Sequence, residues 1–281
     1  MQVGTRYRVL DKHRDHEIAF VLTRKYDQFR DLGKTTLAIR SPYVKKALRK
    51  VIVRYPGVDF RAAVVVLDGP PRCLFHYRKK LKKYLETLSD EEAKKHLEFL
   101  LKHMYRVFDS ELETWSNLME SSGVAPTINY FGLWMAFKPG DNIYLRNDGK
   151  GERVMRLKNI SRCECTKPFC WQARWKLELE MIIFDGGKFG YKDFNFSIPL
   201  YDGNMRLSIL KYFPLRYHPY RDRISKMLVA SGEKYARFIS THHQFYDGTA
   251  VVASEWLDNE APVSFYTSTT LNTICLTNFC R

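Results

Sequence analysis

Residues 31–39 read Asp31-Leu32-Gly33-Lys34-Thr35-Thr36-Leu37-Ala38-Ile39, "DLGKTTLAI". Gly33-Lys34-Thr35 has the form of the tip of a phosphate-binding loop. Val64-Val65-Val66-Leu67-Asp68 has the form of the strand and aspartate that help hold Mg²⁺ beside one. Such a loop needs a further glycine, with four residues between it and Gly33, so that backbone N–H groups turn toward the phosphates. That position is Gln28, and Phe29, Arg30, Asp31 and Leu32 between them include no small residue. A helix must begin at the lysine. Here Thr35-Thr36-Leu37-Ala38-Ile39 alternates and is β-prone, so the stretch reads as a strand. Ile182-Ile183-Phe184-Asp185-Gly186 repeats the shape of the Asp68 segment, which marks that shape as a strand running into a turn.

Working outward, Ser41-Pro42 is an N-cap followed by proline at the first helical position. Val44, Ala47, Leu48 and Val51 recur at helical spacing, so a helix is predicted to about Val53, before Tyr55-Pro56-Gly57. On the N-terminal side, Ile18-Ala19-Phe20-Val21-Leu22 is strand-like. After Gly69-Pro70-Pro71 a helix is predicted from Leu74 to about Leu88. It carries the basic run Arg78, Lys79, Lys80, Lys82 and Lys83. Ser89-Asp90-Glu91-Glu92 reads as a capping box with Ser89 as N-cap. Ala93, Leu97, Leu100, Leu101, Met104, Phe108, Leu112 and Trp115 then mark one apolar face of a single long helix.

Near Ser121-Ser122-Gly123 the pattern changes from helical to extended. Strands are predicted at 142–145, 153–160, 171–184 and 189–198, with turns at Asn147-Asp148-Gly149 and Asp185-Gly186-Gly187. A helix with Ile224, Met227, Leu228, Tyr235 and Phe238 follows Pro219. The expected fold class is α+β. A basic, helix-rich N-terminal region (1–120) packs with a small antiparallel sheet or partly closed barrel, followed by a helix (121–250). Residues 251–281, rich in Thr and Ser, are expected to form an irregular, poorly ordered tail.

The chain has 281 residues, 45% hydrophobic and 27% charged, which are the proportions of a globular protein with a real core. No apolar run approaches the about 20 residues of a membrane span, and the charged N-terminus lacks the apolar core of a secretory signal. An intracellular site, cytoplasmic or nuclear, is therefore expected, with no membrane insertion. Six cysteines in a chain of this length do not read as a disulfide framework. The formal net charge is +15, and it is concentrated: residues 1–110 carry 25 Lys and Arg against 13 Asp and Glu. Such an excess is either a solvated face or a field that draws acidic partners.

Cys163, Cys165 and Cys170 are weak zinc candidates, because a structural site wants four N or S ligands and no paired second half follows. His242-His243 lacks the intervening glutamate of a metalloprotease helix, and no Gly-x-Ser-x-Gly elbow is present. Trp134, Tyr144, Trp171 and Trp175, near Arg153, Arg156, Arg162 and Arg174, fit either a core or a surface that stacks single-stranded bases. Their strand spacing favours the core. Composition and motifs thus supply no catalytic residue, and the acidic-partner patch Arg78, Lys79, Lys80, Lys82 and Lys83 is the leading site on charge alone.

Four segments in order carry a resemblance: "FGLWMAFKPGD" (131–141), "FDGGKFGY" (184–191), "FPLRYHP" (213–219) and "HQFYDG" (243–248). Together with "IRSPYVKKALRKVIVRYPGV" and "LSDEEAKKHLEFLLKHMY" upstream, they resemble the uncharacterised domain that precedes the AAA ATPase module in fungal proteins. The resemblance covers about residues 35 to 250. It implies a non-catalytic accessory or recognition region whose partner is a protein or a AAA module. ATP and Mg²⁺ belong to the longer relatives, and no cofactor is expected in this chain, which reaches Arg281 without a phosphate-binding loop. A truncated or stand-alone form would explain that. Nucleic acid bound by the basic 72–83 segment is the alternative.

Overall fold

In the computed structural model the residues described are 18–29, 31–120, 125–146, 152–163, 174–185 and 188–237, with the backbone of 242–251 and 260–269. Leu32–Ile39 is a strand (β2). It is paired antiparallel on one side with Phe20–Tyr26 (β1) and on the other with Val65–Asp68 (β3). Leu37 and Ile39 lie opposite Leu67 and Val65, and all four are buried. Alternation thus puts one face of the sheet on a core and leaves Val66 and Asp68 outside.

Helix α1 (Pro42–Val51) starts where the cap predicts: the Ser41 hydroxyl accepts from the Val44 N–H at 3.3 Å. The same hydroxyl meets His96 Nδ1 at 2.9 Å, joining the cap to α3 (Glu91–Val107). Helix α2 is Arg72–Glu86. Val44, Leu48, Leu74, Phe75, Leu81, Leu97, Leu100 and Met104 are buried where these helices pack.

Two details of the helices differ from the sequence reading. The cap of α3 is Asp90, not Ser89: the Asp90 carboxylate accepts from the N–H groups of Glu92 and Ala93. An ionised carboxylate is the better partner for the positive end of a helix. The expected single long helix also breaks at Phe108, and α4 (Asp109–Met119) follows. Phe108 is buried edge-on against Phe75, with ring centroids 5.4 Å apart, while Asp109 and Glu111 favour a new N-terminus. No residue of α4 is fully buried, so the apolar face weakens after the break.

The chain divides into two compact units, 1–121 and 122–281. In the second, Thr127–Asn129 (β4) pairs with Asn204–Arg206 (β9), and Leu133–Ala136 (α5) is a fully buried turn of helix. Asn142–Leu145 (β5), Arg153–Cys163 (β6), Arg174–Phe184 (β7), Phe189–Pro199 (β8) and Tyr212–Pro214 (β10) form one antiparallel sheet of order β10-β5-β6-β7-β8. Leu157 and Ile160 are both buried although three residues apart, and a bulge between Leu157 and Asn159 makes that possible.

The sheet is open: no hydrogen-bonded ladder joins β8 to β10 among the described strands, so there is no closed barrel. It is curled, however, enough that Phe196 on β8 and Tyr212 on β10 touch, with centroids 4.8 Å apart. Helix α6 (Arg221–Arg237) follows, and the Tyr235 hydroxyl reaches the Phe184 N–H at 3.2 Å. His242–Val251 (β11) pairs with Glu260–Thr269 (β12). A strand at 260–269 departs from the irregular tail expected there. Thr and aromatic residues are strand formers even where the composition is polar.

Candidate functional site

The basic run on α2 does not form one patch of five. Helical geometry places Arg78 on the same face as Leu74, Phe75 and Leu81, and it is buried. Its guanidinium donates to the Phe75 carbonyl at 2.8 Å, lies 4.2 Å from the Phe75 ring centroid and 5.2 Å from that of Trp115. Arg78 therefore leaves the expected acidic-partner patch, because cation–π contact and a carbonyl satisfy it inside. Lys79, Lys80, Lys82 and Lys83 are exposed. Lys79 pairs with Glu120 at 2.6 Å, and the Trp115 indole donates to the same carboxylate oxygen. These contacts hold the Glu120 carboxyl below its usual range, Lys79 contributing most.

Helix α1 adds cations that the run on α2 did not foretell. Lys45, Lys46, Arg49 and Lys50 divide into two pairs spaced four apart. Lys45 donates to the Ala63 carbonyl at 2.8 Å and Arg49 to the Phe60 carbonyl at 2.6 Å, so this pair holds the 60–63 loop. Lys46 and Lys50 project from the neighbouring stripe and are exposed. Lys50 Nζ lies 5.1 Å from the centroid of the Tyr84 ring on α2, and Lys80 Nζ 5.9 Å from that of Tyr77. A shallow groove of about 480 Å³ is lined by Pro42, Lys45, Lys46, Arg49 and Lys50. Together α1 and α2 carry ten Lys and Arg and one acid, Glu86, so these two helices hold a strong positive excess. The signal available in the sequence was the doubled spacing of "KKALRK".

The constellation that imitated a nucleotide site is brought together, but as a structural pair. Thr36 and Asp68 are directly opposite on β2 and β3. Lys34 Nζ lies 3.0 Å from one Asp68 oxygen, and the Thr36 hydroxyl donates to the other at 3.1 Å. The lysine sits on a strand rather than at a helix start.

Cys163, at the end of β6, is exposed, while Cys165 and Cys170 lie outside the described residues. Among the described residues no three His, Cys, Asp or Glu side chains are grouped for a metal ion. Cys73 is buried, which pushes its thiol up to about 12 and keeps it protonated. Burial likewise raises the Tyr55 hydroxyl, which hydrogen-bonds His76 Nδ1 at 2.9 Å.

In the second unit two of the segments that carry the resemblance, 131–141 and 213–219, are tied to one another. The Arg216 guanidinium binds the Asp141 carboxylate and donates to the Ala136 carbonyl at 2.6 Å, so "RYHP" clamps "AFKPGD". Trp175 and Trp134 are core residues, and the Trp175 indole donates to the Tyr130 carbonyl at 2.8 Å. Arg156 pairs with Glu180 at 2.6 Å. Trp171 lies outside the described residues. His218 stacks on Phe213 with planes 6° apart and accepts at Nδ1 from the Tyr220 N–H; burial lowers its pKa. The Tyr144 ring, 4.7 Å from that of His218, has its hydroxyl pushed up to about 12, by burial first and then by Glu152. No helix among the described residues is long and apolar enough to cross a membrane.

No curated protein and no solved structure matches the chain. A family described as Domain of unknown function (DUF7025) matches residues 119–219, the stretch that holds the Arg216 clamp and the β5–β8 sheet.

Proposed function

We propose that this chain is a non-catalytic recognition region, acting as an accessory to a AAA ATPase module of the kind that follows such domains in fungal proteins. The observation that carries the reading is the engagement of Lys34, Thr36 and Asp68 with one another across two strands. The residues with the most ATPase-like spacing are thereby committed to holding a sheet together. The clamp of Arg216 on Asp141 and Ala136 supports the same reading in the second unit, since it commits the motif arginine to positioning backbone. The association with an ATPase module rests on the resemblance of the ordered motifs.

The test is ATP turnover by the purified chain, with and without Mg²⁺. Turnover at the buffer background, unchanged in Lys34→Ala, is the expected result. Hydrolysis above background that disappears in Lys34→Ala overturns the proposal.

A further inference from the structure

We infer that α1 and α2 together form a binding surface for the phosphate backbone of nucleic acid, with Lys46, Lys50, Lys80 and Lys83 as the contacting groups; Lys82, two residues from Lys80 on α2, points to the other side of the helix. The inference rests on the recognition reading and assigns it a partner class. It differs from the linear 72–83 segment in that Arg78, Lys79 and Lys82 are excluded and α1 is included.

Three observations carry it. First, none of these four ammonium groups has a carboxylate within ion-pair distance among the described residues, whereas Lys79 is already neutralised by Glu120. Their charge remains available to a partner. Second, Lys50 of α1 over Tyr84 of α2 brings cations of the two helices onto one surface, and within α2 the Tyr77 ring holds the Lys80 ammonium. A lysine restrained in this way loses less conformational freedom on binding. Third, the groove beside Lys46 and Lys50 is lined by four cations and a proline, so an anion entering it meets no opposing carboxylate.

The choice of a phosphate backbone follows from the spread of unpaired charge over two helices, which a polyanion of regular charge spacing meets at several points. The contacting groups are lysines, compact point charges suited to phosphate oxygens. Bidentate recognition of carboxylate or phosphate alike uses the planar fork of arginine. Arg78 and Arg49, two of the three arginines on these helices, are turned to backbone carbonyls. The Tyr77 and Tyr84 rings already carry ammonium groups, so base stacking contributes little and binding is independent of sequence.

Salt dependence of binding by the full chain tests this, measured by fluorescence anisotropy with a mixed-sequence duplex DNA and a mixed-sequence single-stranded RNA. Four neutralised phosphates give a log–log slope of about −3.6 on duplex and about −2.8 on single strands. K46Q/K50Q lowers the duplex slope by about 1.8 units, and K80Q/K83Q does the same. K176Q, on β7 of the other unit, leaves it unchanged. Far-ultraviolet circular dichroism shows that each variant is folded, as expected for exposed side chains.

An unaltered slope in folded K46Q/K50Q overturns the assignment of α1. No binding of either nucleic acid at low salt overturns the whole inference, as does an affinity for a poly-glutamate peptide that equals or exceeds that for nucleic acid. The last outcome leaves the recognition reading standing, and ATP turnover would remove that reading independently.

Discussion

Arg78 and Lys82 sit on one helix four residues apart, and charge alone treats them alike. Burial separates them. Arg78→Ala removes a hydrogen bond to the Phe75 carbonyl and two cation–π contacts from the interior, and is expected to cost about 1–3 kcal/mol in urea unfolding. Lys82→Ala is expected to stay within about 0.5 kcal/mol. Asp68 gives a pH signature. The hydrogen bonds from Lys34 and then Thr36 lower its carboxyl below the usual value, so the folded state holds its proton less tightly than the unfolded chain. Its contribution to stability is therefore present above about pH 4, the unfolded carboxylate range, and is lost as pH falls through the lower folded value. The stability gap between wild type and Asp68→Asn, followed by urea midpoints from about pH 6 to about pH 3, is expected to narrow toward acid. The pairing partner of Asp68 was not legible locally, because only the β2–β3 register sets Thr36 opposite it. Nor was the burial of Arg78, which depends on Trp115 arriving from α4.

Among elements, the start of α1 is the most local feature and the easiest to test. Ser41→Ala removes the cap on Val44 and the partner of His96 at once. The expected loss is about 1–2 kcal/mol, larger than for an exposed cap because both groups are buried, and Ser41→Asp is expected to recover less than it would at a solvent-facing cap. Thermal and urea unfolding of the two variants check this. The cap and helix were readable because they depend on neighbours in sequence. So were β5 to β8, whose alternation and Asp185-Gly186 turn are short-range signals. Strands β4, β9 and β10, of three residues each, were not, since so short a run shows no period and owes its form to its partner. The bulge in β6 was half visible: Leu157 and Ile160 break the alternation, and only an extra residue lets both face inward. For the candidate site, the lysines of α2 were plain, while the meeting of Lys50 with Tyr84 needed the packing of α1 on α2.

For the molecule as a whole, each unit has its own apolar centre: Leu37, Leu48, Phe75, Leu97 and Met104 in the first, Ile143, Leu157, Trp175, Leu179 and Phe213 in the second. Fragments 1–121 and 122–281 expressed separately are expected to fold, with circular dichroism spectra that sum to that of the full chain. Spectra of an unfolded chain from either fragment would contradict this. The fold class was legible because helical and extended periods occupy different halves of the sequence. The break at residue 121 falls just past α4, and Glu111 and Glu113 on that helix with Glu120 at its end bring the first unit to 25 basic against 16 acidic residues. The field is thus less lopsided over the whole unit than over 1–110, and its positive part is concentrated on α1 and α2. The strand order of the larger sheet has a further consequence, for self-association. At one margin β10 is three residues long and ends at Pro214, which has no N–H to offer an incoming strand. At the other, β8 runs eleven residues and exposes most of them. Among the described strands of this sheet, addition of a strand from another copy is therefore favoured at the β8 margin. The charges of Lys188, Lys192 and Asp193 stand guard there, and replacing them with apolar residues would remove that protection.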